Sequence, residues 1–531
     1  MRFLCCLFLC LLFSACGSRE AGTRPVDLAA EQGILLRGNG AEPESLDPQL
    51  ATSVSAGNVL LNLFEGLTRL HAATLEPEPG MAESWTVSED GLTVDFLLRE
   101  AVWSDGKPVT ARDFDFAFRR LLNPELGASY AFMLFPILNA REIHQGELPL
   151  SSLGVEVLSE RRLRLRLAKP TPYLFSLLAH WTAFPLPEHV LAQFGNTDNR
   201  GGEWTRPGHL VGNGAFLLED WRSGDRIALR KNPQYWQAES VKLEGAVFFP
   251  FPDPGSEERA FRSGEIHVTY SLPRHRLPHY REQATEVLRV DPYLESVGYA
   301  VNLQHPALKD PRVRQALSLA LDRRAITEKV LYGVREPAFN YVPPGTGGYT
   351  PEKQLAEDVE QARQLLAEAG YPGGEGVPEI VFIYPSAQDS QRVAEFIQQR
   401  WQQELGIRIE INNMERQTYF SRRRERDFDL CYLGWVGDYT DPMTFLGLWL
   451  SDAGHNLADW KNPTYDATLF RAARAGGERG DLLADAERML LEELPVIPLY
   501  FGATQYLLDP RVQGWHANLL DWHPLRAVSF E

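Results

Sequence analysis

The sequence predicts an α/β protein of two or three domains, and three observations carry that prediction. A chain of 531 residues with 44% hydrophobic content can bury more than one core. Its first half is rich in strands that pair as hairpins, and its second half alternates strands with helices. No internal repeat, coiled-coil heptad or second long apolar run breaks the pattern, which excludes a solenoid, a fibre and a multispanning membrane protein. The formal net charge of -18 excludes nucleic acid as a partner, because phosphates demand a basic stripe that this chain does not supply.

The chain opens with Arg2 and the apolar run FLCCLFLCLLF. That run is too short to span a bilayer and has the size of the apolar segment of a secretory signal, so residues 1–15 are read as a signal peptide rather than as a first buried element. The FSACGS that follows resembles a bacterial lipobox, in which small residues precede a cysteine that becomes the acylated N-terminus. Cys16 is then the lipidated residue, with Phe13 standing where the pattern prefers leucine. Acyl chains, at roughly 0.8 kcal/mol per buried methylene, would tether the protein to a membrane surface. Gly17 lacks the aspartate associated with inner-membrane retention. Cys5, Cys6, Cys10 and Cys16 all lie in this region, so the body keeps only Cys431 and no disulfide framework is possible. Residues 16–29 are small and polar and read as a flexible tether.

In the body, SWTVSEDGLTVDFLLRE alternates Leu92, Val94, Phe96 and Leu98 on one face after an Asp-Gly turn, which predicts a hairpin. GVEVLSERRLRLRLAKP repeats the pattern with Leu163, Leu165 and Leu167. DPRVRQALSLALDRRAIT opens on an Asp-Pro pair suited to a helix cap and first turn. LAEDVEQARQLLAEAG places Val359, Ala362, Leu365, Leu366 and Ala369 on one helical face and stops at Gly370. EIVFIYP, SQRVAEFIQQRWQQELG and IRIEIN then read as strand, helix and strand, a βαβ unit.

The apolar strand FDLCYL leads into LGWVGDYTDP, Leu433 to Pro442, a loop at a strand's end where α/β domains commonly bind ligands. A carboxylate beside an aromatic ring and small residues suits a cationic ligand, whereas a lone loop aspartate is ordinarily a turn or cap residue.

AESWTVSEDGLTVDFLLREAVWSDGKPVTARDFDFAF, Ala82 to Phe118, closely resembles the signature of the family 5 extracellular solute-binding proteins, the dipeptide and oligopeptide receptors of ABC importers. ESLDPQLATSVSAGNVLLNLFEGL, VGNGAFLLEDWRSGDRIALRKNPQYW, DPYLESVGYAVN, GWVGDYTDPMTFL and VIPLYF extend the likeness across nearly the whole body. The resemblance implies a periplasmic binding protein-like fold of class II, cluster C: two lobes with a hinge, plus an extra inserted domain. Lobe I would comprise 30–64, 189–293 and 504–531, the inserted domain 65–188, and lobe II 294–503. It further implies a monomer without cofactor, metal or catalysis, on the outer side of a membrane, handing oligopeptides to importer subunits.

The resemblance assigns Asp438 as the anchor of a peptide's α-amine, the one charge present whatever the peptide's sequence. Gly434 and Trp435 would line the peptide channel, with core packing the alternative for the indole. Val54 matches a segment whose backbone pairs with extended peptide, and Tyr130 a tyrosine that touches it. At the positions that supply cations for the peptide's C-terminal carboxylate stand Leu331, Ser390 and Tyr432. Arg416, which replaces a channel tryptophan, and Arg423 are the candidates for the missing charge; the alternative is that SRRRERD is a solvated helix face. This implies a ligand differing in length or C-terminal chemistry from that of the family's oligopeptide receptors.

Two rival readings stay open. One is a non-peptide solute in the same fold. The other is a peptide hydrolase, for which the chain offers no G-x-S-x-G or H-E-x-x-H. His275 and His279 are split by Pro278, and Cys431 sits within an apolar strand.

Overall fold

The structure is a computed structural model that describes residues 24–195 and 197–531; Cys16 and the signal segment lie outside the described residues. The tether predicted over 16–29 does not extend to its predicted end. Pro25–Glu31 is a helix that buries Val26 and Ala29, and Arg511 holds its Asp27 at 3.0 Å. Proline at the first helical position and an aspartate in the first turn explain why this short segment folds rather than trails.

The chain then forms β1 (Ile34–Gly38) and the helix Val54–Leu63. A small hairpin of β2 (Thr68–Leu70) and β3 (Pro77–Pro79) precedes a four-stranded antiparallel sheet. That sheet contains β4 (Ala82–Val87), β5 (Thr93–Leu98), β6 (Val155–Ser159) and β7 (Arg162–Arg166), in the order β4-β5-β7-β6. Val94, Phe96 and Leu98 face its core, as the alternation predicts. β8 (Phe216–Arg222), β9 (Arg226–Lys231) and β10 (Gly245–Phe249) then return to β1, which pairs parallel with β10.

The second half builds one six-stranded sheet from β11 (Leu288–Val301), β12 (Glu336–Pro337), β13 (Ile380–Pro385), β14 (Ile409–Met414), β15 (Leu430–Val436) and β16 (Val496–Leu507). Its order is β12-β16-β11-β15-β13-β14. β13 and β14 run parallel, joined by the helix Gln388–Leu405, so the βαβ unit read in the sequence is present. β17 (Val512–Gln513) and β18 (Ser529–Phe530) close the chain against the first half.

Two strands connect the halves. β11 and β16 pair antiparallel over nearly their whole length, with a register shift between Tyr293 and Ser296. Leu288 to Tyr293 pair with Gly502 to Leu507, and Ser296 to Ala300 with Val496 to Phe501. A bulge at this point bends a two-stranded ribbon and breaks its ladder locally. Separate cores serve the two halves: one gathers Leu35, Val94 and Phe248, another Val297, Phe382 and Trp401.

Candidate functional site

The site forms where β15 leaves the large sheet. β11 follows β15 along its length, ending with Glu295 opposite Val436, but β13 pairs with it only at Leu430 and Cys431. From Tyr432 to Val436 the other edge of β15 carries no strand among the described residues. One carbonyl there, that of Tyr432, accepts from the Tyr419 hydroxyl. The remaining edge is a template on which an extended chain can pair. Val436 is 41% exposed at its end, an apolar residue left uncovered.

Two glycines shape this edge. A Cβ at Gly434 would meet the Tyr432 hydroxyl at 3.0 Å, so its absence lets the Tyr432 ring lie along the strand. A Cβ at Gly437 would come within 2.6 Å of Leu294. The turn therefore packs directly on β11, with the Gly437 amide donating to Leu294 O at 2.7 Å and the Asp438 amide to Thr444 Oγ1 at 3.2 Å.

These contacts fix the backbone of Asp438 and leave its side chain free. No cation or hydrogen-bond donor among the described residues reaches its carboxyl, and burial alone pushes it up to about 7. The residue is half-buried, and the surrounding protein removes enough water to disfavour its charge. Asp441 differs: Arg479 pairs with it at 2.8 Å, and its Oδ1 accepts the Met443 amide at 3.0 Å. Of the two aspartates in DYTDP, one is committed to structure and one is vacant.

Tyr130 faces the vacant carboxylate from the first half of the chain. Its phenol is pushed up to about 12, by burial first, then by the charges of Asp438 and Glu44. Its ring stacks on His180 at 5.4 Å and neighbours Phe132, an exposed aromatic. Glu44 in turn accepts from the Ser53 amide at 2.9 Å, which brings the Val54 segment to the same place. Here the structure departs from the extended pairing expected of Val54. Ser53 is extended, but Val54 is the first residue of a helix that Ser53 caps by accepting the Ala56 amide. A serine cap ends extended backbone at its own position, but the first amides of a helix have no intrahelical acceptor, so the Val54 N–H remains able to donate.

Trp435 stands half-buried, its ring 5.2 Å from His455. Arg423 lies in the last turn of the helix Arg416–Glu425, close enough to His455 for its charge to add to burial in lowering that imidazole. Its guanidinium also lies over the rings of Phe420 and Tyr419. Arg416 opens the same helix over Phe420 at 5.5 Å. The arginine run is thus a helix flanking Trp435, with Arg423 on its inner side and Arg422 paired outward to Asp427. Leu331 and Ser390 are buried, and Tyr432 half-buried.

Sequence reasoning missed three groups that the fold brings here. Tyr173 stacks on Tyr439 at 4.7 Å, His455 stands against Trp435, and Glu295 faces Val436 across the ladder. Only Glu295 carried a sequence signal, its position in DPYLESVGYAVN, which becomes β11 of the large sheet. The residues offered to a hydrolase do not assemble. Cys431 is fully buried with its thiol pushed up to about 12, and His275 precedes the helix that holds His279. Among the described residues no three metal-binding side chains converge, and no helix is long and apolar enough to cross a membrane. A small pocket lined by Glu65, Arg69, Trp522 and Arg526 shares no residue with the site.

Two groups of sheets joined by a paired ribbon, with a vacant carboxylate beside an open strand edge, define a solute-binding protein. The chain belongs to the bacterial extracellular solute-binding proteins of family 5, whose profile, described as the family 5 Middle region, matches residues 76–456. It is 34% identical over 506 residues to the periplasmic oligopeptide-binding protein OppA of Salmonella typhimurium, covering 92% of this chain and 91% of that one. It is 33% identical over 520 residues to the probable deoxycholate-binding periplasmic protein YgiS of Escherichia coli, covering 96% and 95%. Among solved structures it superposes with a TM-score of 0.84 on the unliganded open form of the periplasmic murein tripeptide binding protein MppA, at 32% identity, covering 94% of this chain and 98% of that one.

Proposed function

We propose that this protein is an extracytoplasmic receptor that binds oligopeptides and delivers them to an ABC importer. The observation that carries this reading is the vacant carboxylate of Asp438 at the end of an unpaired strand edge. A peptide offers a protonated α-amine and a run of backbone groups, and these are the two things the site lacks. In this reading Asp438 takes the amine, the β15 edge at Gly434 and Trp435 pairs with the backbone, and Tyr130 and Val54 face the peptide from the other lobe. Arg423, near the His455 that stands against the indole, and Arg416 at the start of the same helix are the candidates for the peptide's C-terminal carboxylate. A 4 Å ion pair at an effective dielectric of 20 contributes roughly 4 kcal/mol before desolvation costs.

The likeness to an open, unliganded binding protein and the bulged β11–β16 ribbon support closure of two lobes about that ribbon. Lobe I is assigned 30–64, 189–293 and 504–531, the inserted domain 65–188 and lobe II 294–503. The molecule acts as a monomer tethered by acylated Cys16.

Mass spectrometry of small molecules released from natively purified protein tests the reading. Short peptides with free N-termini are expected, and incubated peptides are expected to remain intact. A non-peptide solute is favoured by the likeness to the deoxycholate-binding relative. Deoxycholate carries a carboxylate and no amine, so Asp438 would oppose it; recovery of a bile acid in place of peptide would overturn the peptide reading.

A further inference from the structure

The turn that carries Asp438 is held from behind by a loop outside the binding site. That loop, residues 340–349, runs through Tyr341, Val342 and PPGTGGY and closes on itself: the Gly345 amide donates to Tyr349 O at 2.8 Å and the Tyr349 amide to Thr346 O at 2.9 Å. Gly345, Gly347 and Gly348 all have positive φ, a conformation glycine adopts without the steric cost that other residues meet. Gly347 is the point of contact with the turn. A Cβ there would lie 2.5 Å from Thr440 O and 3.5 Å from Asp441 Cα, so the loop backbone packs directly on DYTDP. A Cβ at Gly348 would meet nothing within 4 Å.

A second contact reaches the far end of the turn. The Tyr341 ring packs edge-on against Phe445 at 6.1 Å and Trp449 at 5.8 Å. Phe445 follows Thr444, whose hydroxyl accepts the Asp438 amide. One carboxylate organises the whole loop. Glu487, in the helix Arg479–Glu493, is fully buried, and both its oxygens are spent here. Oε1 accepts the amides of Tyr341 at 2.8 Å and Val342 at 2.7 Å, and Oε2 accepts the Tyr349 hydroxyl at 2.7 Å. A buried carboxylate is costly unless donors replace its water, so these bonds tie the loop to the helix. The same helix supplies Arg479 to Asp441 from about two turns earlier. It therefore meets the anchor turn twice, once through Arg479 and once through the loop that Glu487 holds.

We propose that Glu487 and Gly347 are positioning residues for Asp438: Glu487 fixes the loop, and Gly347 sets where the loop stops the turn. This rests on the peptide reading above and deepens it. Neither residue touches the ligand. Their effect falls on recognition of the α-amine, because a displaced Thr440 carries with it the carboxylate two positions before it.

Calorimetry with trialanine and its N-acetyl form tests this on the full chain, with the ratio of the two affinities as the readout. Loss of general stability weakens both forms alike, whereas a displaced anchor narrows the ratio. Wild-type protein should bind the free amine about tenfold or more tighter than the N-acetyl form, and Gly347→Ala should reduce that ratio by about threefold or more. Gly348→Ala makes the same demand on φ but meets no neighbour, so it should keep the wild-type ratio. Glu487→Ala should narrow the ratio as Gly347→Ala does, and Glu487→Gln, which keeps an acceptor for the two amides, should restore most of it. Tyr349→Phe deletes one hydrogen bond and keeps the ring; it should narrow the ratio by about twofold and decides the matter if Gly347→Ala does not fold. Equal ratios in Gly347→Ala and Gly348→Ala would overturn the inference, as would an unchanged ratio in Tyr349→Phe. A wild-type ratio near one would instead overturn the amine anchor, and binding of neither form would overturn the peptide reading itself.

Discussion

Asp438 and Asp441 stand three positions apart in one loop, and both have raised carboxyls because both are largely removed from water. Asp441 recovers part of that cost through Arg479 and the amide of Met443. Asp438 recovers none. Burial of an unpaired acid is a standing expense for a folded protein, and it persists where an arriving ligand supplies the partner. The comparison teaches that the aspartate proposed to bind the ligand is the one the fold leaves incomplete.

The largest expected effect breaks the structural member of the pair. Asp441→Ala removes the acceptor that holds Arg479 and opens the turn, so the protein should lose about 3 kcal/mol of stability in urea unfolding. Asp438→Asn should do the opposite at pH 8, raising the melting temperature, while weakening peptide binding by tenfold or more, about 1.4 kcal/mol. If Asp438→Asn destabilised the protein as Asp441→Ala does, the two aspartates would share a structural role and the distinction would fall.

Much of this fold was legible in the sequence for simple reasons. Alternation at Val94, Phe96 and Leu98 announced a hairpin, and the Asp310-Pro311 pair announced a helix start that the structure places there. Local chemistry decides such features. The site was legible only in part. LGWVGDYTDP stood out by its composition, but which aspartate is vacant depends on Arg479, thirty-eight positions beyond Asp441. Extended backbone was expected at Val54, which instead opens a helix that Ser53 caps.

The contrast also predicts a pH dependence. Asp438 has a folded value of about 7 against 3.8 for the free group, so its protonated form is the one the unliganded fold prefers. Sign follows directly: this group's contribution to stability is full below 3.8 and is lost as pH rises through 7. An ammonium ligand needs the ionised form, and a peptide's α-amine stays protonated up to about pH 8. Affinity for trialanine should therefore peak between pH 7 and 8 and fall by up to about tenfold per unit below 7, with a proton released on binding. Calorimetry in buffers of different ionisation heats measures that proton, and Asp438→Asn should abolish it.

The smallest expected effect concerns the neighbour that separates the two aspartates. Tyr439 stacks face to face on Tyr173, with ring centroids 4.7 Å apart and planes within 10°. Tyr173 lies in the first half of the chain and Tyr439 in the loop of Asp438, so this stack holds the two together before any ligand arrives. Lys169 over Phe470 at 5.7 Å reinforces the same junction. Such a pair contributes about 1 kcal/mol beyond its buried area, enough to position the loop but less than an ion pair to the ligand. Tyr173→Ala should lower trialanine affinity by about fivefold at most, and Tyr173→Phe, which keeps the ring, should change it less. A loss in Tyr173→Ala greater than that in Asp438→Asn would mean that the loop's placement, rather than the vacant charge, dominates binding.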